Sequence, residues 1–265
     1  ILAREPELLR QFLEFIPTIA PPKIDAIAVT YGPGLEPALW TGINFAQALA
    51  LVWNKPLIPI NHMEGHIYSV LAQSIKMEFP ALSLLISGGH TELVLIRDWF
   101  KYRIIGQTRD DAVGEAFDKV ARLLDLPYPG GSAIEKLAGK FQPQGETLRV
   151  PKVSPLIKLP RPMIDSSDLD FSFSGLKTAV LYLIQKIPRT VLNGPRGQSL
   201  KIQIAADFQQ AVIDVLIKKT LRAIDKYRPR TLIAAGGVSA NQELRRQMAK
   251  SIGNLKTPPT ILVPP

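Results

Sequence analysis

Short apolar runs alternate with helix-periodic stretches along this 265-residue chain, and that alternation narrows its fold more than any other feature. The runs IDAIAVT (24–30), LIPI (57–60), ALSLLI (81–86), TELVLI (91–96) and TLIAA (231–235) have the length of buried strands. Helices are predicted over 5–16, 37–52, 112–125, 175–187 and 202–228, and further helices open near Asn61, at Ser132 and from Asn241. On 112–125 the apolar face is Val113, Phe117, Val120 and Leu124. At Ser132 the spacing Ser132-x-x-Glu135 reads as a capping box. ALSLLI and TELVLI are joined by SGGH alone and fold back as a hairpin, whereas the other runs are separated by helices and pair through crossovers. The fold class is therefore α/β with a mixed sheet. Residues 141–168, rich in Pro and Lys, read as a long loop or extended segment.

Composition excludes several classes. Apolar residues make up 46% and charged residues 21%, enough for a sizeable core. No apolar run approaches the ~20 residues that span a bilayer, so no membrane role is expected. With no cysteine, disulfides, zinc-thiolate sites, iron–sulfur clusters and a cysteine nucleophile all fall away. The start at Ile1 and the end at Pro264-Pro265 read as an internal stretch of a longer cytoplasmic protein. The formal charge of +9 is uneven: 11 basic and 14 acidic side chains lie in residues 1–132, against 21 and 9 in residues 133–265. Such a basic half suits phosphate, in RNA or a smaller anion, and equally an ordinary solvated surface.

Three histidines are present, and two of them, His62 and His66, stand one helical turn apart. Neutral imidazoles so placed can share a divalent cation; the bland alternative is two unliganded rings. Glu64 follows His62 by two residues, about 200° round the helix, where it cannot serve as the base of a zinc protease. Three Gly-Gly pairs mark element junctions: Ser87-Gly-Gly-His90, Pro129-Gly-Gly-Ser132 and Gly236-Gly237-Val-Ser-Ala-Asn241. Each alone needs nothing beyond a turn, with Ser239 or Asn241 as a helix cap. Together they fit a nucleotide cleft walled by backbone, with helix N-termini facing an anion. Asp118, beside Phe117, could accept ribose hydroxyls or simply be solvated near Lys119. Neither a Walker A motif nor a Gly-x-Ser-x-Gly elbow is present, so P-loop chemistry and a serine hydrolase are not supported.

The segments GPGLEPALWTGINFAQALA (32–50), PINHMEGHIYS (59–69), LLISGGHTELVLI (84–96), DDAVGEAFDKVARLLDLPYPGG (110–131), FSFSGLKTAV (171–180) and AAGGVSANQELR (234–245) together resemble one family. It is the tRNA N6-adenosine threonylcarbamoyltransferase family, formerly described as O-sialoglycoprotein endopeptidase. The resemblance implies an actin-like ATPase (ribonuclease H-like) fold of two lobes, with mixed sheets flanked by helices. Residues 1–77 would form a first lobe shortened at its start and carrying the histidine pair. Residues 78–265 would form a second lobe with the nucleotide loops and the basic surface.

The same resemblance implies transfer of threonylcarbamoyl from L-threonylcarbamoyl-AMP to N6 of adenine 37 in tRNAs reading codons that begin with A, with release of AMP. It places one divalent ion per subunit, iron or zinc, on His62 and His66. A third ligand is expected from an aspartate motif that would follow Pro265. Substrate contacts fall on Leu85, Ile86, Ser87, Gly88, Gly89, Asp118, Gly131 and Asn241. Implied partners are tRNA, an inactive paralogue and a small P-loop ATPase. No residue is identified as the general base. The alternatives are a non-catalytic scaffold of the same fold, which has no reason to keep the histidine pair, and a metalloprotease.

Overall fold

The structure is a computed structural model that describes residues 2, 5–73, 76–141, 158–192, 194 and 197–264. It divides into two compact units, Ile1–Tyr68 and Ser69–Pro265. The sequence reading set that division at 77/78.

The first unit opens with α1 (Pro6–Phe15), which lays Phe12 edge-on against Phe45, ring centroids 5.7 Å apart. Phe45 lies on α2 (Glu36–Val52), the crossover between β1 (Ile27–Gly32) and β2 (Leu57–Asn61). The two strands pair in parallel, Ile27 opposite Leu57 through Ile60 opposite Thr30, as a crossover helix requires. α3 (His62–Tyr68) follows β2 directly, and Asn61 Oδ1 accepts from the Met63 amide at 2.8 Å to start it.

The second unit is built on a five-stranded sheet of order β5-β4-β3-β6-β7. β3 (Ala81–Ile86), β4 (Thr91–Asp98) and β5 (Lys101–Gln107) form an antiparallel meander. β6 (Thr231–Ala235) adds in parallel to β3, and β7 (Thr260–Leu262) in parallel to β6. The mixed sheet is thus present as expected. Both faces of β3 are buried along its whole length, which is why ALSLLI is a continuous apolar run instead of an alternating one.

Leu82, Leu84, Ile86, Leu93, Leu232 and Ala234 share one core with the helices α4 (Val113–Leu123), α5 (Gly130–Ala138) and α6 (Ser174–Gln185). The short α7 (Arg189–Leu192) precedes α8 (Gly197–Tyr227), the 31-residue helix that crosses the same face, and α9 (Gln242–Gly253) follows β6. Phe117 of α4 meets Phe208 of α8 edge to face, centroids 5.1 Å apart. Truncating either ring would cost about 3–5 kcal/mol. Lys219, fully buried on α8, donates to Ser166 Oγ at 2.7 Å and to the Asp168 carbonyl at 2.9 Å, holding the segment before α6 onto the core.

The structure corrects several boundaries. β5, β7 and α7 were not anticipated, and α8 begins five residues before the expected Ser-Leu-Lys-Ile stretch at 202. The capping box is absent: Ser132 Oγ donates to the Pro129 carbonyl at 3.1 Å, and Glu135 turns to another helix. Most of the expected loop 141–168 (142–157) lies outside the described residues. Among the described residues, no helix is long and apolar enough to cross a membrane.

Candidate functional site

Because β3 and β6 are parallel, Ile86 and Ala235 finish at the same edge of the sheet. Loops leaving such carboxyl ends are where open α/β sheets hold their ligands. The turn after β3 is closed by two hydrogen bonds, Ser87 N–H to the His90 carbonyl at 2.8 Å and His90 N–H to Ser87 Oγ at 3.1 Å. α4 docks behind it: the Gly114 amide reaches the Ser87 carbonyl at 3.2 Å and the Val113 amide reaches Thr91 Oγ1 at 2.8 Å. A Cβ on Gly114 would lie 2.6 Å from the Ser87 oxygen, so only glycine lets the helix approach this closely. The loop after β6 crosses the end of β3 through Gly236, whose φ of +90° suits glycine and whose added Cβ would collide with the Ile86 carbonyl.

The third glycine pair joins the same cluster through Asp118. Its Oδ1 accepts from the Gly130 amide at 2.7 Å, placing a carboxylate on the first amide of α5. α5 in turn reaches α9, where Glu135 Oε1 accepts from the Gln242 amide at 2.6 Å. Asn241 is 7% exposed and caps α9, with Oδ1 taking the Leu244 amide and Nδ2 donating to Gln209 Oε1, both at 2.9 Å. Helix starts thus converge around the ends of β3 and β6, and each is fixed by a named side chain.

The glycines fall into two kinds. Gly114, Gly130 and Gly236 are required by packing. Gly88, Gly89, Gly131 and Gly237 are not, since a Cβ on any of them would meet nothing within 4 Å. The second glycine of every pair therefore opens on empty space. Bare backbone facing space at three loops is a surface on which a flat or anionic ligand can lie close to amides.

Of the expected substrate residues, Ser87, Gly88, Gly89, Asp118, Gly131 and Asn241 do come together here, within the second unit. Leu85 and Ile86 are fully buried in the β3 ladder, so they could offer a ligand main chain only. Both polar ends of the Asn241 amide are engaged by protein, which favours its cap role.

Sequence reasoning missed a carboxylate pair beside the site. Asp110 Oδ2 accepts from the Ser172 and Ser174 hydroxyls at 2.6 and 2.7 Å, and Oδ1 from the amides of Phe173 and Ser174 at 2.8 and 3.2 Å. Partial burial works to raise its pKa, but these bonds outweigh it and hold Asp110 below the ordinary aspartate value of 3.8. Asp111 is likewise opposed by burial and held low by Lys177 and Lys119, at 2.8 and 3.1 Å. The partners lie about 60 residues away, and no local spacing announces them. Grooves of about 720 and 640 Å3 run elsewhere, along the C-terminal part of α8 beside Asp225 and Leu255, and carry none of the glycine loops.

In the first unit, the His62 and His66 rings sit with centroids 4.4 Å apart at an interplanar angle of 63°. Two neutral imidazoles on one helix face fit two positions of a divalent cation's shell. Among the described residues no group of three His, Asp or Glu side chains gathers as a complete donor set.

Comparison with known proteins places this geometry in a family. Residues 6–263 match the profile of the family described as tRNA N6-adenosine threonylcarbamoyltransferase. A relative of that name from Syntrophomonas wolfei is 48% identical over 227 residues, 86% of this chain and 62% of its own length. Another, from Burkholderia cenocepacia, is 47% identical over 226 residues, 85% of this chain and 62% of its own. The chain thus spans less than two thirds of the length of these relatives. Among solved structures, HypF of T. kodakarensis superposes with a TM-score of 0.58 at 12% identity, over 97% of this chain and 40% of that one, a likeness of fold alone. The fold is of the actin-like ATPase type. With its glycine loops gathered at the ends of β3 and β6 and its profile match over almost its whole length, the chain belongs to the tRNA N6-adenosine threonylcarbamoyltransferase family.

Proposed function

We propose that the protein containing this chain transfers the threonylcarbamoyl group of L-threonylcarbamoyl-AMP to N6 of adenine 37 in tRNA, releasing AMP. The observation that carries this reading is the convergence of Gly88-Gly89, Gly131 and Gly237, all open to space, around the ends of β3 and β6 in a chain of this family. The donor is a mixed anhydride and already activated, so the protein's task is to position it and to stabilise the charge that develops. Amides of the Gly88-Gly89 turn would face the phosphate or acyl oxygen. Asp118 would offer the ribose its Oδ2, because Oδ1 is held by Gly130. Leu85 and Ile86 would contribute backbone, and Asn241 would hold the start of α9 against the nucleoside.

A divalent ion, iron or zinc, would be held by His62 and His66, and it would supply a fixed positive charge for the oxygens of the donor. The paired rings support this assignment. Replacing both with alanine in the full-length protein is expected to strip bound metal while leaving the fold intact; metal content by mass spectrometry checks it, and unchanged metal would contradict the assignment. An inactive paralogue and a small P-loop ATPase are proposed as partners, in the cytoplasm. The whole reading is tested by nucleoside mass spectrometry of tRNA from a strain depleted of this gene. N6-threonylcarbamoyladenosine should vanish and return when the full-length gene is restored; persistence of the nucleoside at its normal level would overturn the proposal.

A further inference from the structure

Resting on that reading, we propose that His90 is the catalytic proton acceptor of the transfer and that Glu92 positions and charges it. The chemistry requires an acceptor. The N6 electron pair of adenine forms a bond to the carbonyl carbon of the donor, the carbon–oxygen bond to phosphate breaks, and AMP leaves with that pair. One N6 proton must then go to a group that is neutral beforehand, and an imidazole near neutral pH is suited to take it.

The titratable groups gathered at this edge of the sheet leave one such group. Asp110 is saturated by Ser172, Ser174 and two amides. Asp111 is paired with Lys119 and Lys177, and Glu115 with Lys119. Asp118 and Glu135 each hold a helix amide. Carboxylates stabilised as anions in this way are poor bases. His90 belongs to the Ser87–His90 turn itself, half-buried, with its main chain pinned at both ends: its amide donates to Ser87 Oγ and its carbonyl accepts from the Ser87 amide. Its neighbours Gly88 and Gly89 put no Cβ in the space beside it.

Glu92 is two residues further along β4, so it shares a strand face with position 90. In the ladder Glu92 stands opposite Leu85 on one side and Gln107 on the other, neither of which carries charge. Burial pushes its carboxyl up and the charge of His90 pulls it back down, so the ionisation of each favours that of the other. A proton arriving on His90 would thus be met by a half-buried carboxylate that no lysine or arginine neutralises in the ladder.

The test uses the full-length protein with its partners, preformed threonylcarbamoyl-AMP and unmodified tRNA, in single-turnover transfer. His90→Gln is expected to slow transfer by roughly 10²–10⁴-fold with donor affinity unchanged, and to abolish the limb of the rate profile that rises through an imidazole-like pKa. Glu92→Gln should move that limb to lower pH, since removing the anion makes His90 less basic, and Glu92→Asp should move it back toward wild type. If His90→Gln also loses donor binding, His90→Ala with added imidazole decides: recovery of rate supports the proposal, and its absence overturns it. Transfer by His90→Gln within about threefold of wild type, with the pH limb intact, overturns it too. Wild-type protein that makes no modified nucleoside would instead refute the function on which the proposal rests.

Discussion

Gly114 and Gly131 show how one residue type answers to two demands. Gly114→Ala would force a Cβ against the Ser87 carbonyl and is expected to cost about 1–3 kcal/mol by overpacking. Gly131→Ala meets open space and should leave stability nearly unchanged while weakening donor binding. Thermal unfolding and donor titration of the two variants check this contrast, and equal destabilisation would contradict it. Asp118→Ala should cost about 1–3 kcal/mol, because the Gly130 amide loses its acceptor, and should lower donor affinity more than tRNA affinity. The sequence exposed Asp118, Asn241 and the three glycine pairs as candidates. It could not distinguish a cap from a ligand contact, because both use the same polar atoms, and only the positions of Gly130, Leu244 and Gln209 decide between them.

Elements are legible where one face is buried and illegible where partners are remote. β3, β4 and β6 stand out because each is a short apolar run, whereas β5 (KYRIIGQ) is an edge strand with an exposed outer half, and β7 is three residues long. The capping box failed for a similar reason: Glu135 lies at the expected spacing from Ser132 yet spends its carboxylate on α9. The clasp from Asp110 to the start of α6 is the element-scale feature with a pH signature. Its folded pKa lies below the ordinary 3.8, so the unfolded chain binds the proton more readily. Its contribution is complete above about pH 4 and is lost as pH falls through the folded value. Asp110→Asn is expected to cost about 1 kcal/mol at pH 7, a value reduced by the clasp's solvent exposure. Urea unfolding of wild type and variant should show that difference shrinking toward pH 3; a difference constant with pH would exclude the clasp.

At the scale of the molecule, the second unit combines a core buried on both sheet faces with the loops that the family reading requires, and the charge surplus of residues 133–265 lies in the same unit. Binding of tRNA to the full-length protein should weaken steeply with salt and depend little on sequence away from the modified base. A flat dependence on salt would remove the basic half from the interface. The alternation of strands and helices and the ordered motifs made the fold and the family readable from the chain. They left open the convergence of the glycine loops, which depends on β6 adding beside β3 from about 150 residues away. That convergence is the centre of the account. It is tested most directly by transfer of labelled threonylcarbamoyl from its adenylate to tRNA, comparing full-length wild type with Gly131→Val at equal folded concentration. Label should appear at N6 of the adenine with wild type and fall by at least tenfold in the variant while its unfolding temperature is retained; undiminished transfer by a folded variant would place the donor elsewhere.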